Sequence, residues 1–240
     1  MLTLDFGPPR HAQAASPARR PGRSPRRGGE SLGSRAVDVV LAFAAAIVAT
    51  RLAAELVRRH RSRPQPGLLA WSAALGAFGI AAAAVAWGAA AGWDDRSFRV
   101  YYLFGGLLAA ALLGAGSLLR IGMSWLGPVV LVYVGLATGL VIAEPLTADV
   151  TGAGVPDAQD HLDVVPVRIL AIGANTVGTL AAAAVAAATI RRRPLGNTLV
   201  LGGIAAAALG SALTGLGVAE SSALLLASVA LLYAGVVVRR

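Results

Sequence analysis

The chain has 240 residues, of which 56% are hydrophobic and only 14% charged, and its mean hydropathy is +0.69. A soluble domain carries about 25% charged residues, so this chain lacks the polar surface needed to stay in water. Its 21 basic residues outnumber 12 acidic ones and are all Arg, and Cys is absent. The missing Lys excludes a retinal Schiff base, a pyridoxal site and a Walker-type phosphate lysine. The missing Cys excludes a disulfide framework, thiol chemistry, an iron–sulfur cluster and a thiolate zinc site.

Residues 1–35 hold seven Arg among repeated Pro, Ser and Gly, a composition that buries too little surface to offset its ordering entropy and predicts a disordered tail. An alternative reading places the true start of translation downstream of it. Beyond the tail, apolar runs alternate with short charged or Pro/Gly breaks. A membrane-crossing helix needs about 20 apolar residues to cover roughly 30 Å of hydrocarbon. Seven spans are predicted, over 36–57, 67–91, 99–120, 125–143, 166–189, 196–217 and 220–238. The apolar runs lack the strict alternation of a barrel, and an open sheet would leave backbone groups unpaired in lipid. The expected fold is therefore all-α, a polytopic membrane protein whose domain, residues 36–240, is a single bundle of seven transmembrane helices.

The first span carries Asp38, Arg51 and Glu55. All three lie towards its ends, where Arg51 can snorkel and Glu55 sits four residues from both Arg51 and Arg59. In the second and fourth spans, Gly88 with Gly92 and Gly135 with Gly139 form GxxxG pairs suited to close helix approach. Between the fourth and fifth spans, the loop 144–165 holds Glu144, Asp149, Asp157, Asp160, His161 and Asp163 and no basic residue. Asp157, Asp160 and His161 are weak candidates for a divalent cation, because their spacing matches no defined calcium loop. Glu144 and Arg168 border this loop and are placed to pair.

In the fifth span, Asn175 and Thr179 share a helix face at i, i+4 inside a run of small residues. A mid-span Asn cannot be satisfied by lipid and must face the bundle. These two, with Glu144, are the candidate ligand contacts; the competing reading is interhelical hydrogen bonding. The sixth span carries Gly202, Ala206, Gly210 and Thr214 at four-residue intervals, with Gly203, Ala207, Ser211 and Gly215 beside them, a face built for close packing. The spans contain no His, which excludes a bis-His haem and an HExxH zinc peptidase within the bundle. No cofactor is expected, and no catalytic residue is assigned.

Orientation follows from where the Arg residues fall. Arg58, Arg59, Arg61, Arg63, Arg120, Arg191, Arg192, Arg193, Arg239 and Arg240 all lie at one end of the predicted bundle, while the opposite end has Arg96, Arg99 and Arg168 with the acidic loop. The Arg-rich end is expected to be cytoplasmic, with the C-terminus inside and the 144–165 loop outside a cytoplasmic membrane. Seven spans would then put the basic tail outside, against the same rule.

Three stretches carry a resemblance. Arg63-Pro64-Gln65-Pro66-Gly67-Leu68-Leu69-Ala70-Trp71 opens the second span. Gly92-Trp93 precedes Phe98-Arg99-Val100-Tyr101-Tyr102-Leu103-Phe104-Gly105, and Arg192-Arg193-Pro194-Leu195-Gly196-Asn197 leads into the sixth span. From Arg58 onward the chain resembles uncharacterised seven-span membrane proteins of high-GC actinobacteria, a family with no assigned activity. The resemblance implies a seven-helix bundle in the cytoplasmic membrane. Where those relatives carry His after the Pro, this chain has Gln65, so no His-based role carries over.

The functional expectation is a non-enzymatic membrane component that works by helix–helix interaction with a partner protein or a second copy, or as a sensor-like module. Its environment is the lipid bilayer, and no nucleic acid is expected as a partner. The alternatives are a small-solute transporter or channel component, and an intramembrane lipid-modifying enzyme.

Overall fold

The computed structural model describes residues 32–152, 154–215 and 222–238; the remainder of the tail assigned to residues 1–35 lies outside them. The described chain is mostly helical, with short connections except for the acidic loop between the fourth and fifth long helices. Helix α1 is Leu32–Ser62, α2 is Pro66–Ala91, and α3 runs continuously over Asp95–Arg120. Helix α4 is Leu126–Ala143, α5 is Ile169–Ala188, α6 is Pro194–Gly215 and α7 is Ser222–Val237. Among the described residues, six helices are long and apolar enough to cross a membrane; α7, at 16 residues, is a shorter apolar helix. The protein is a polytopic helical bundle. Helix α1 starts at Leu32, so the last four residues of the predicted tail are already helical.

Helix α1 shows the physics of the whole bundle. Its buried face is Ala42, Ala45, Ala46, Ala49, Leu52, Ala53 and Leu56, while Val40, Phe43 and Ile47 point outwards and are more than half exposed. Large side chains outside and small ones inside reverse the pattern of a soluble helix. Lipid tails solvate the large side chains as well as a protein core would, so association favours small residues that let backbones approach. Helix α2 lies along this Ala face. Ser72 donates to the Ala53 carbonyl at 2.9 Å, and Thr50 folds back onto Ala46.

The helices pack in a ring, with α2 between α1 and α3, α5 against the C-terminal half of α3, α6 beside α5, and α7 closing between α6 and α1. Helices α6 and α7 are antiparallel along their length, with Gly196 against Gly235, Gly203 against Ser228 and Leu232, and Gly210 against Leu224. Helix α4 stands outside the ring, in lighter contact with α3 and with residues 164–168, which lead into α5. Its outer face is the exposed Leu131, Val132, Leu136 and Ile142. Gly135 and Gly139 lie on this helix with no neighbour within 4 Å of where a side chain would begin.

Helix α3 changes its winding midway. Asp94 caps it in a reciprocal box with Ser97, accepting from the Ser97 amide at 2.7 Å while the Asp94 amide donates to the Ser97 hydroxyl at 3.0 Å. After Tyr101 the helix widens to π winding over Tyr102–Ala109 and then returns to α over Ala110–Arg120. Gly122, at φ +103, terminates it.

The acidic loop packs onto the adjoining helix ends. The Trp93 amide donates to the Gly152 carbonyl at 2.9 Å, and His161 tilts against Phe98 with ring centroids 5.4 Å apart. Trp93 is only 5% exposed. Its indole fills the space left by the missing side chain of Gly88 and meets Tyr101 edge-on at 5.5 Å. Gly88 thus seats an indole within the same loop-end corner instead of a second helix.

Candidate functional site

The midpoint of the ring is a cavity of about 460 Å³, within the 300–1,000 Å³ range of small-molecule sites. Five helices wall it: α2 with Phe78 and Val85, α3 with Tyr101 and Gly105, α5 with Asn175 and Thr179, α6 with Ala207 and Gly210, and α7 with Leu225 and Ser228. Apolar side chains dominate the wall, and none of the described lining residues is charged. Thr176 and Leu180 of α5 and Ala208 and Ser211 of α6 line it and are also exposed, so the cavity reaches the bundle surface between these two helices.

The widened segment of α3 orders one wall. In π winding the backbone turn is looser, and its carbonyls are accessible to outside donors. Asn175 Nδ2 donates to the Gly106 carbonyl at 2.6 Å, and the Tyr133 hydroxyl of α4 donates to the Leu107 carbonyl at 2.7 Å. Two neighbouring helices are therefore tied to adjacent carbonyls of the same irregular turn. Asn175 acts as interhelical glue through one amide proton and, with two donors and an acceptor in its side chain, still has hydrogen-bonding capacity facing the cavity.

Ser228 differs. It is completely buried, lines the same cavity, and its hydroxyl has no hydrogen-bond partner. A helical Ser ordinarily bonds back to the carbonyl one turn earlier, as Ser117 does to Leu113 at 2.8 Å. A buried hydroxyl left unpaired costs about 1–3 kcal/mol. Ser228 was not singled out from sequence. The available signal was a lone hydroxyl within Leu224-Leu225-Leu226-Ala227-Ser228-Val229-Ala230-Leu231-Leu232, the same kind of anomaly that drew attention to Asn175.

Asn175 and Thr179 line one wall together. Gly202, half-buried, meets Leu231; Ala206 and Gly210 border the cavity; the Thr214 side chain lies outside the described residues. The tight seam between α6 and α7 runs instead through Gly196, Gly203 and Gly235, where an added side chain would meet backbone. Glu144 terminates α4 and is remote from the cavity wall. Among the described residues it makes no ion pair with Arg168, whereas Glu55 pairs with Arg58 and with Arg59, the latter at 2.9 Å.

The weak metal candidates do not converge. Asp157 caps a one-turn helix, Ala158–His161, by accepting from the Gln159 amide at 2.9 Å, and the His161 Nδ1 lies 2.9 Å from the Asp157 carbonyl. These residues stabilise a turn, and among the described residues no three His, Asp or Glu side chains meet in a cation-binding group.

No family model, curated protein or solved structure matches the chain.

Proposed function

We propose that the chain is a non-enzymatic, sensor-like component of a cytoplasmic membrane, whose central cavity takes up an apolar molecule from the lipid phase. The class of ligand is an acyl or isoprenoid chain bearing one hydrogen-bonding group. The observation that carries this reading is the mostly apolar cavity walled by five helices, with Asn175 on its wall and Ser228, buried with its hydroxyl unpaired, among the lining residues. A mostly apolar cavity disfavours water, so an apolar chain fills it better than solvent does, and a polar group carried on that chain finds hydrogen-bonding partners in Asn175 and Thr179. The mouth between α5 and α6 lies on the flank of the bundle, where lipid is the neighbour.

The seven-span reading draws support from α7, an apolar helix that lies antiparallel to α6 from Gly235 to Leu224. The Arg-rich end faces the cytoplasm and the Glu144–Val165 loop faces outwards, following the bias of Arg towards cytoplasmic loops. Ligand occupancy would alter the α5–α6 gap, and a partner protein or second copy would read that change. The transport and enzyme alternatives are less well supported, because the described wall offers neither a charged pathway nor an acid–base pair.

Photolabelling of the full-length protein in membranes with a diazirine-bearing fatty acid tests the reading. Adducts are expected to concentrate on peptides containing residues 175–180 and 206–211, and Ala207→Phe, which fills the cavity, should reduce them several-fold. Adducts spread evenly over the outward faces of α1 and α4, and unchanged by Ala207→Phe, would overturn it.

A further inference from the structure

A second cavity, of about 710 Å³, lies at the Arg-rich end of the bundle, between the C-terminal ends of α3, α5 and α7 and the start of α6. Unlike the first, it has charged residues in its wall. Arg120, Arg192 and Arg193 line it with Asn197, Thr189 and Ser117, and no Asp or Glu is among the described lining residues. The nearest engaged carboxylate on this end, Glu55, is already taken by Arg58 and Arg59.

The side chains are held in place. The Trp71 indole donates to Ser117 at 3.1 Å, and the Arg120 guanidinium lies over that indole at 5.5 Å from its centroid. Gly67 leaves room for the Arg120 stem, because a side chain there would collide with it. Arg193 Nη2 donates to the Gly235 and Val238 carbonyls at 3.3 and 3.2 Å, which clamps it to the end of α7. Asn197 Nδ2 donates to the Thr189 hydroxyl at 2.9 Å. The first turn of α6, from Pro194, opens onto the same space and adds the positive potential of a helix N-terminus.

Arg120 and Arg193 are close enough for the charge of one to act on the other. Each guanidinium has five N–H donors, and the contacts above use few of them. Like charges gathered in a recess between helices repel unless an anion joins them. The fork of Arg donors matches phosphate oxygens, and basic pockets between transmembrane helices at the cytoplasmic side suit anionic lipid headgroups.

We propose that this cavity is a phosphate-binding site, in which Arg120 and Arg193 hold a phosphate group against the N-terminus of α6. The phosphate belongs either to an anionic lipid headgroup or to a soluble phosphate compound. The inference uses different residues from the central cavity and stands independently of it.

The test is thermal unfolding of the purified full-length protein in a neutral detergent, titrated with short-chain phosphatidylglycerol, short-chain phosphatidylcholine or inorganic phosphate. Phosphatidylglycerol raising the midpoint, with phosphatidylcholine and inorganic phosphate inert, identifies a headgroup site; a rise with inorganic phosphate identifies a soluble ligand. In either case Arg120→Gln should weaken the apparent affinity about tenfold, the loss of about 1.4 kcal/mol. Arg61→Gln, on the same end but outside the cavity, should leave it unchanged. No midpoint rise with either phosphate probe overturns the proposal, as does an equal response in Arg120→Gln and Arg61→Gln. If Arg120→Gln does not fold, native mass spectrometry of Arg193→Gln against Arg61→Gln decides. Selective loss of bound phosphatidylglycerol or phosphate from Arg193→Gln supports the site, and equal retention refutes it.

Discussion

Gly178→Ala probes the joint that sets the cavity wall. A Cβ at Gly178 would lie 2.5 Å from the Ala110 carbonyl carbon and 2.8 Å from the Ala111 nitrogen, and a Cβ at Gly114 would lie 2.5 Å from the Gly178 Cα. All of these neighbours are backbone, so no side chain can swing aside. Restoring ordinary carbon contact at about 3.5 Å requires α3 and α5 to separate by about 1 Å. Overpacking of this kind costs about 1–3 kcal/mol. The same movement stretches the 2.6 Å bond from Asn175 to Gly106 past hydrogen-bonding distance, adding about 0.6 kcal/mol at the usual value for an intramembrane bond. The expected loss is therefore about 2–4 kcal/mol, measured by reversible unfolding in mixed micelles with increasing dodecyl sulfate. Gly173→Ala is the matched control, since nothing lies within 4 Å of its Cβ position; it should be neutral or stabilising by up to about 1 kcal/mol through helix propensity. Equal stability of Gly178→Ala and wild type would refute the close crossing and, with it, this geometry of the cavity wall.

Two further outcomes are expected. Hydrogen bonds from the Ser97 hydroxyl and amide hold the Asp94 carboxyl below the usual carboxylate range. A lowered folded-state pKa gives stability that is present above the unfolded value of about 3.9 and lost as pH falls through the folded value. Asp94→Ala should therefore lower the thermal midpoint at neutral pH, with the difference from wild type shrinking in acid; a difference that persists unchanged below both pKa values would contradict the capping role. Because the chain has no Cys, single substitutions report sidedness directly. With intact cells, Thr151→Cys should react with a membrane-impermeant maleimide and Arg61→Cys only after permeabilisation; the opposite pattern would reverse the orientation.

Much of the architecture was legible in the sequence because the bilayer restricts the choices. Uninterrupted apolar runs of the right length admit helices alone, and the Pro, Gly and Arg breaks locate their ends to within a few residues. Asn175 could be assigned to the interior because lipid offers it no partner, and its bond to Gly106 follows from that reasoning. The clustering of Arg at alternate connections was visible in the same way, since the helices simply alternate direction.

Which faces meet was not legible. In a soluble helix an apolar stripe points to the core, but here nearly every face is apolar, and 29 Gly residues offer many surfaces for close approach. Gly135 and Gly139 have the same spacing as other pairs yet pack against nothing within the described residues, whereas Gly114 and Gly178, on different helices, make the tightest crossing. The π winding at Tyr102–Ala109 has no signature in composition, but it supplies the two carbonyls that bind α4 and α5. Length, composition and charge thus determined a membrane bundle and the end on which its Arg residues gather. Tertiary structure alone decided that some of those residues, with Trp71 and the start of α6, enclose a common recess, because convergence of residues 71, 120 and 193 depends on how α2, α3 and the turn into α6 meet.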